Sequence, residues 1–445
     1  MDAHSLKPEE VSNLKIDKLG EATIDYPQKR SKCNFIEDSE TILLYTHSDQ
    51  LKIYQDSGKE PPAFEMAGPR RKIFFAPEKI NCGIVTCGGL CPGLNDVIRT
   101  ITLTLAWQYG VKSILGFKYG YAGMTSNPPA EPVELTPEVV DEIHLRGGDI
   151  LASSRGPQDS DDMVDNLVKR DISLLFVIGG DGTLRGAFDM VQTIKKRGLK
   201  ISVIGVPKTI DNDIYAIEQS FGFSTAVEAS RDAICGGHNE AKGAWNGVGL
   251  VKLMGRDSGF IAANATLANS DVNFCFVPEV PLVLDGEKGF LRELEHRLEK
   301  KHHAVIVVAE GVAQQLAEEE DLKAVQKDVS GNIIHEDIGL LLKAKIKQHF
   351  LQKQIPLSLK YIDPSYIIRS LPANSRDSAF CLLLGQYAVH AGMTGRTNMV
   401  ISFWNQYFTH VPISLATLKR KKIDPNGYLW QTVLGTTGQG RNQNQ

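Results

Sequence analysis

The sequence predicts an α/β protein made of two similar doubly wound lobes with a cleft between them, preceded by an N-terminal extension. Three observations predict this fold. Short apolar runs alternate with helical segments, small and polar residues follow the ends of those runs, and the alternation begins a second time near residue 226. Such alternation favours parallel strands joined by crossover helices, which cover each sheet on both faces.

The first series of elements predicts a Rossmann-like lobe over residues 81–225. Strands are expected at 81–86, 113–117, 174–178 and 201–206, and helices at 94–107 and 187–196. Residues 1–80 carry mixed charge and weak periodicity, and we expect them to form an extension wrapped on the core. Within this extension, Arg70 and Arg71 are expected to be solvated surface residues.

The second series predicts a similar lobe over residues 226–380. Strands are expected at 247–253, 274–278 and 304–309, and helices at 291–301 and 337–350. The acidic stretch 318–336 predicts an exposed insertion. Residues 381–445 are expected to form helices and a tail that pack back on the lobes, with a disordered polar end from residue 438.

The composition argues against several classes of function. The 445 residues carry 53 acidic and 49 basic side chains, a net charge of −4, so no basic field favours nucleic acid or an anionic membrane. No run approaches the ~20 apolar residues that span a bilayer. Seven cysteines, an odd number, do not suggest a disulfide framework and favour a reduced, cytoplasmic location. The spacing of Cys82, Cys87 and Cys91 is unlike that of zinc sites, so ordinary thiols are expected.

Small residues follow the first strand at positions 87–95, where the sequence reads Cys-Gly-Gly-Leu-Cys-Pro-Gly-Leu-Asn. Glycines at this point let backbone amides approach a polyphosphate, and the N-terminus of the next helix adds a favourable dipole. A glycine-rich turn with a purely structural role explains the segment equally well. The pattern matches neither G-x-G-x-x-G nor a Walker A motif, so both interpretations stay open.

A sharper motif, Gly-Gly-Asp-Gly-Thr, occupies positions 179–183 directly after another predicted strand. An aspartate between glycines at a strand end can reach a metal while the bare backbone lies against phosphate oxygens. Its carboxylate is a hard oxygen ligand that suits Mg²⁺, which binds through few protein carboxylates and keeps several waters. The alternative is a simple turn.

Two further polar segments follow predicted strands. In Pro-Lys-Thr-Ile-Asp-Asn-Asp at 207–213, one aspartate can accept the proton of an attacking alcohol while the other stays ionised beside Mg²⁺ or an arginine. A capped helix start explains the same residues equally well. In Met-Gly-Arg at 254–256, Arg256 is a candidate for stabilising charge on a transferring phosphoryl group, although an isolated arginine is more often a surface residue.

Taken together, these segments resemble the 6-phosphofructokinases, in order and context, over roughly residues 80–400. Lys208 and the segment 254–262 are similar to the ATP-dependent branch that holds plant and trypanosomatid enzymes. The resemblance implies transfer of the γ-phosphoryl of Mg·ATP to the 1-hydroxyl of fructose 6-phosphate. It also implies a homo-oligomer, a dimer or tetramer, in which allosteric activation by AMP would fit the branch although no residue shows it.

The resemblance assigns roles residue by residue. Asp211 matches the catalytic base, and Asp181 matches the carboxylate that binds Mg²⁺. Asp213 is expected to support the metal site. Thr209 and Arg256 complete the group of catalytic residues. Positions that line the nucleotide are Gly89, Arg155, Gly180, Asp181, Gly182 and Thr183. Positions that bind the sugar phosphate are Thr209, Ile210, Asp211, Met254, Gly255, Arg256 and Glu310, with Lys360, Tyr366 and Arg369 at the 6-phosphate. Accordingly the lobe at 81–225 is expected to bind ATP and Mg²⁺, and the lobe at 226–380 fructose 6-phosphate.

The phosphoryl donor depends on two positions. Gly182 leaves room for an α-phosphate, where an aspartate, as in pyrophosphate-using relatives, would repel it. Lys208 points the other way, because pyrophosphate enzymes also carry it. The sequence favours ATP, with a pyrophosphate-dependent enzyme as first alternative and a non-catalytic regulatory subunit as an alternative of another class. At Tyr366, Lys360 and Gly247 many bacterial relatives have histidine, arginine and arginine, so their cooperativity is not assumed here.

Overall fold

The computed structural model describes residues 10–11, 13–27, 34–313 and 337–440, together with two short backbone segments at 326–327 and 333–334. The chain forms two compact units. Unit 1 takes its residues from Met1–Thr209, Ile214–Gly222 and Ser370–Arg420, and unit 2 from Ile210–Asp213, Phe223–Arg369 and Lys421–Gln445. Neither unit is a continuous stretch of chain, whereas the sequence predicts one boundary near residue 225 and a separate C-terminal part from residue 381.

The strands, numbered β1 to β19 in chain order, are short at the N-terminus and longest in the two lobes. They are Asp17–Lys18, Ile24–Asp25, Thr41–Leu43, Ala63–Met66, Lys72–Ile73, Asn81–Thr86, Ser113–Phe117, Val133–Glu134, Ile172–Gly179, Ser202–Pro207, Gly247–Leu253, Phe274–Phe276, His303–Ala309, Gln326–Lys327, Ile333–Ile334, Ser358–Ile362, Arg396–Thr397, Met399–Trp404 and Tyr407–Pro412.

The α-helices, numbered α1 to α12 in chain order, include the crossover helices that the sequence predicts. They are Ser48–Asp56, Leu94–Leu103, Ser160–Lys169, Asp181–Lys196, Phe223–Lys242, Phe260–Ala268, Phe290–Lys301, Ile338–Gln352, Ser365–Arg369, Ser375–Met393, Ile413–Ala416 and Tyr428–Thr437. A π-helical turn, Thr104–Tyr109, continues α2.

Unit 1 is built on a nine-stranded sheet in the order β3-β4-β19-β18-β10-β9-β6-β7-β8. The five strands from β18 to β7 are parallel, as the sequence predicts, while β19, β4, β3 and β8 add antiparallel edges. β18 and β19 form a hairpin closed by Asn405 and Gln406, which both have positive φ. Two turn residues with left-handed backbone conformation match the right-handed twist of the paired strands in a two-residue hairpin. The turn therefore fixes the register in which β19 pairs with β18.

Unit 2 is built on a four-stranded, fully parallel sheet in the order β12-β13-β11-β16. The central strands are continuous apolar runs because helices cover both faces. Helix α5 lies very close to β11: a Cβ at Gly247 would be 2.0 Å from the carbonyl oxygen of Ala241. The arginine that many bacterial relatives place at this position would therefore not fit here.

Two predicted regions fall largely outside the described residues. The predicted insertion at 318–336 is described only as the two-residue strands β14 and β15, which pair antiparallel. Of the tail predicted from residue 438, only positions 438–440 are described. Over the part of the chain that the structure describes, no helix combines the length and apolarity needed to cross a membrane, and the cysteines are thiols rather than disulfides.

The N-terminal extension is tied to unit 1 by a buried ion network. Arg70 and Arg396, which are 6% and 2% exposed, both contact Asp38 and Glu65. Arg396 Nη2 is 2.7 Å from Asp38 Oδ1. The prediction of a solvated Arg70 is thus wrong, because strand β4 and the turn at Gly68 enclose its guanidinium, whereas Arg71 is 71% exposed as expected.

We expect Arg396→Met to lower the free energy of unfolding by about 3–5 kcal/mol, because it removes a buried cation and leaves the Glu65 carboxylate, which is 16% exposed, without its nearest partner. Urea unfolding followed by circular dichroism measures the change. A matched control is Lys72→Met, which removes an exposed ion pair with Asp25 and should cost less than about 1 kcal/mol. Equal effects of the two substitutions would contradict a structural role for the network.

Candidate active site

In unit 1, the glycine-rich turn after β6 combines both roles that the sequence left open. Gly88 and Gly93 have φ of 90° and 98°, a region that glycine reaches without strain. A Cβ at Gly93 would be 2.7 Å from Cys381 Sγ, so this glycine is needed for packing. Gly89 faces a different environment: among the residues that the structure describes, the one atom within 4 Å of its Cβ position is Arg155 Nη2, at 3.5 Å. Close packing therefore accounts for a glycine at position 93, and the need for space beside the Arg155 guanidinium accounts for a glycine at position 89.

Lys208 reaches the same turn from the end of β10. Its backbone N–H donates to Gly179 O at 2.9 Å, and its ammonium Nζ donates to Gly89 O at 2.7 Å. The side chain is buried, and this burial lowers the pKa of Lys208. The predicted residues Gly89, Arg155 and Lys208 therefore lie together at the carboxyl end of the parallel strands.

The Gly-Gly-Asp-Gly-Thr motif runs from the last residue of β9 into the first turn of α4. The helix begins at Asp181, six residues before the predicted start, and Gly180 is its N-cap. Thr183 is buried against Gly179, whereas a Cβ at Gly182 would meet no atom of the described residues within 4 Å. An aspartate in the first turn interacts favourably with the helix dipole, and the open side at Gly182 leaves the turn accessible.

Asp181 is held between two guanidinium groups. Its carboxylate is 3.0 Å from Arg185 Nη2, one turn along α4, and 3.8 Å from Arg420 Nη2, and its side chain is 10% exposed. Among the described residues, no group of three or more ligating side chains forms a metal site. A single carboxylate at a helix start fits an ion such as Mg²⁺, which takes most of its ligands from water and phosphate oxygens.

Asp149 is a residue of this region that sequence reasoning missed. Its carboxylate accepts hydrogen bonds from Thr86 Oγ1 at 2.7 Å and from Leu151 N at 2.9 Å. Burial raises the pKa of Asp149. Ser153 Oγ donates to Gly88 O at 2.6 Å in the same loop. These contacts fix the loop that carries Arg155 against the end of β6, and no spacing in the sequence signals them.

In unit 2, Asp211 is a partly buried residue in an acidic environment, with carboxyl oxygen Oδ1 enclosed. Burial, followed by the charges of Asp213 and Glu310, raises the pKa of Asp211 to about 7. Arg369 and the backbone N–H of Arg256 act in the opposite direction but are weaker. The segment starts unit 2, since Thr209 belongs to unit 1 and positions 210–213 to unit 2. Ile210 is buried, and the Thr209 carbonyl accepts from Ser220 Oγ at 2.5 Å within unit 1.

The Met-Gly-Arg turn after β11 lies beside the end of β13. Gly255 has φ of 121°, and a Cβ there would be 2.4 Å from Ser258 O. Its carbonyl accepts from Gly311 N at 3.0 Å, while Glu310 N donates to Leu253 O at 2.9 Å. These backbone bonds hold Arg256 beside Glu310, and the interactions of Asp211 with Glu310 and with the Arg256 backbone place it in the same neighbourhood of unit 2. Met254, which is fully buried, anchors the turn.

The three predicted 6-phosphate residues do not all lie together within unit 2. Arg369 Nη2 is 3.9 Å from Glu310 Oε1, so it joins the Asp211 neighbourhood. Tyr366, in the same short helix α9, is 80% exposed. Lys360 pairs with Gly249 in the middle of β11, and its ammonium is 3.8 Å from Glu240, near the C-terminus of α5. Lys360 lies in the middle of its strand and Arg369 lies beyond the end of that strand, so the two side chains do not meet within unit 2.

Two α/β units with acidic and glycine-rich residues at the carboxyl ends of parallel strands define the class of doubly wound α/β proteins. A family model described as Phosphofructokinase matches residues 81–392. The ATP-dependent 6-phosphofructokinase of Borreliella burgdorferi is 47% identical over 440 residues, covering 96% of this chain and 97% of that protein. The chain belongs to the phosphofructokinase family.

The resemblance to the plant and trypanosomatid branch is confirmed. The ATP-dependent 6-phosphofructokinase of Trypanosoma brucei brucei is 43% identical, covering 95% of this chain and 86% of that protein, and a plant relative is 40% identical. The crystal structure of pyrophosphate-dependent phosphofructokinase from Marinobacter aquaeolei aligns with a TM-score of 0.64 at 18% identity, covering 81% of this chain and 91% of that one. This structural likeness confirms the α/β fold and carries no information on the donor.

Proposed function

We propose that this chain is an ATP-dependent 6-phosphofructokinase, which transfers the γ-phosphoryl of ATP to the 1-hydroxyl of fructose 6-phosphate in glycolysis. Relatives of that name match it over almost the whole length of both proteins. The structural observation that supports the chemistry best is Asp211, a buried carboxyl with a pKa of about 7. A general base poised near the working pH has the strongest combination of ionised fraction and basicity.

We assign the sugar-binding roles to residues of unit 2. Asp211 accepts the proton of the 1-hydroxyl as that oxygen attacks phosphorus, and Arg256 neutralises charge on the transferring group. Ile210, together with the adjoining Thr209 at the end of the unit 1 segment, positions the stretch that carries Asp211. Met254 and Gly255 shape the pocket wall. Arg369, which lies beside Glu310, supplies a donor for the 6-phosphate, and Glu310 accepts from sugar hydroxyls. Tyr366 and Lys360 are assigned to the same phosphate on the family resemblance alone. The grouping of Arg369, Glu310 and Asp211 supports these roles.

We assign the nucleotide roles to residues of unit 1. The backbone at Gly180, Gly182 and Thr183, at the start of α4, offers N–H groups to phosphate oxygens. Gly89 and Arg155 line the opposite side of the turn. Asp181 would hold Mg²⁺, and the ion would supply neutralisation of charge on the β- and γ-phosphates. The position of Asp181 as the first residue of α4 fits such an ion.

Steady-state kinetics with ATP and pyrophosphate side by side, with fructose 6-phosphate as acceptor, test the proposed function. We expect ATP to support formation of fructose 1,6-bisphosphate and pyrophosphate not to. The open space at Gly182 supports ATP, since a nucleoside beyond the α-phosphate needs that room. Turnover with pyrophosphate alone would identify a pyrophosphate-dependent enzyme, and no turnover with either donor would support a regulatory subunit.

The pKa of Asp211 predicts the acid limb of the pH profile. A general base must lose its proton, so kcat/KM should rise with pH through about 7. Because Asp213 and Glu310 raise the pKa of Asp211, Asp213→Asn and Glu310→Gln should move the limb to lower pH. Arg369→Met removes a cation that stabilises the ionised form of Asp211, so this substitution should move the acid limb to higher pH. Limbs that stay in place in all three variants would show that another group titrates.

We propose further that the enzyme works in the cytoplasm as a homo-oligomer, a dimer or tetramer. The buried thiols Cys82, Cys87, Cys275 and Cys381 suit a reducing compartment. The exposed Tyr366 and Ile367 on α9 suit a surface that is covered by another subunit. Sedimentation analysis of the purified chain tests the oligomeric state, and a monomer at micromolar concentration would contradict it.

A further inference from the structure

The basic run Lys419-Arg420-Lys421-Lys422 lies outside the matched region 81–392. A run of four cations is most simply a solvated surface. In the structure only Lys422 fits that description, since it is exposed. Lys419 pairs with Glu10 at 2.7 Å and lies 4.5 Å from the ring centroid of Tyr215, and Lys421 is 6% exposed.

Arg420 is placed beside the start of α4. Its backbone forms an antiparallel bridge with Ile214, and its guanidinium Nη2 is 3.8 Å from Asp181 Oδ2, with 27% of the side chain exposed. All these residues belong to unit 1. The backbone bridge and the flanking Lys419 contacts restrict where the Arg420 side chain can point, so its proximity to Asp181 is built into the fold.

The groups around Asp181 carry more positive charge than is needed to neutralise its single carboxylate. Two guanidinium groups face a single negative charge, and the N-terminus of α4 adds a further partial positive charge. Arg185 is 59% exposed and forms an i,i+4 pair on its own helix, which solvent screens strongly. Arg420 is more buried and comes from a different element, so it contributes a fixed cation where a polyphosphate would meet exposed backbone amides.

We propose that Arg420 is a phosphate-binding residue of the nucleotide site, contributed by the C-terminal segment and acting on the polyphosphate of the donor. This proposal rests on the proposed function, since it names the donor of that reaction as the ligand. Even with Mg²⁺ bound, ATP keeps a net negative charge, and guanidinium groups bind phosphate oxygens through charge-assisted, often bidentate hydrogen bonds.

Binding of ATP and of inorganic tripolyphosphate to Arg420→Met, measured by calorimetry with EDTA and again with Mg²⁺, tests the proposal. We expect both ligands to bind about 10–100-fold more weakly in each buffer, the loss typical of one charge-assisted contact. Adenosine should bind as it does to the wild type, and the KM for fructose 6-phosphate should stay within about twofold. Arg420→Lys should recover part of the loss.

Lys422→Met is the matched control, because it removes an exposed cation of the same run and should leave ATP binding unchanged. Unaltered ATP and tripolyphosphate binding in Arg420→Met would overturn the proposal. An equal loss in Lys422→Met would overturn it too, since it would indicate a diffuse charge effect. If Arg420→Met does not fold, judged by circular dichroism, wild-type affinity in Arg420→Gln would overturn it. Wild-type protein that binds neither ligand would instead refute the proposed function.

Discussion

Replacing Asp211 by asparagine should lower kcat by about 10²–10⁴-fold, the usual contribution of a general base. The substitution keeps the size of the side chain and removes the group that accepts the proton of the sugar hydroxyl. Binding of ATP should be unchanged, because the nucleotide residues assigned here belong to unit 1. Rapid-quench measurement of the first turnover separates the chemical step from product release. An undiminished rate of that step would contradict the assignment.

The same variant should be at least as stable as the wild type at pH 8. The pKa of Asp211 in the folded protein, about 7, lies above its ordinary value of 3.8, so folding favours the protonated acid. The stability that this group contributes is present at low pH and is lost as the pH rises between these two values. Asparagine cannot ionise and avoids that loss. Thermal unfolding at pH 8 therefore distinguishes lost chemistry from lost structure, and Asp285→Asn, at an exposed position, serves as a neutral control.

Replacing Gly182 by aspartate should abolish the use of ATP while the protein still folds. A Cβ at this position meets open space, and an acidic residue in the first turn of α4 is favourable by about 0.3–1 kcal/mol. A carboxylate about 4 Å from a phosphate oxygen at an effective dielectric constant near 20 costs about 4 kcal/mol, which corresponds to about 10³-fold in kcat/KM. Coupled assays with ATP measure the loss.

Gly182→Ala is the control for this substitution, because it adds the same Cβ without the charge. Its kcat/KM for ATP should stay within about tenfold of the wild type. A similar loss in both variants would mean that bulk, not charge, decides the donor. Full activity of Gly182→Asp with ATP would remove the physical basis of the donor assignment.

Prediction from the sequence succeeds where a local pattern fixes the structure. The strands at 81–86, 113–117 and 247–253 have the predicted bounds because continuous apolar runs flanked by turns have few alternatives in an α/β fold. The candidate residues at 179–183 and 207–213 follow strands, as predicted. The start of α4 was misplaced because Gly-Asp-Gly has low helix propensity, which its capping position and the buried Thr183 outweigh.

Prediction fails where partners are far apart in the chain. Asp38 and Arg396 are separated by more than 350 positions, and nothing local to either residue indicates their ion pair. Arg420 is hidden in the same way, because a run of four cations looks like solvated surface until the backbone bridge to Ile214 orients it. The antiparallel edge strands escape notice because β3, β4 and β8 are only two to four residues long.

The discontinuous make-up of unit 1 has a consequence for its synthesis on the ribosome. Strand β10 is paired on one side with β9, and its other neighbour, β18, lies beyond the whole Phe223–Arg369 segment of unit 2. While the second lobe is being translated, β10 is therefore the edge strand of an unfinished sheet. Its apolar side chains and its free backbone N–H and C=O groups stay exposed until β18 is made. Such an intermediate invites edge-to-edge association, so the maturation of this protein should depend on chaperones that shield β10 until Met399–Trp404 emerges.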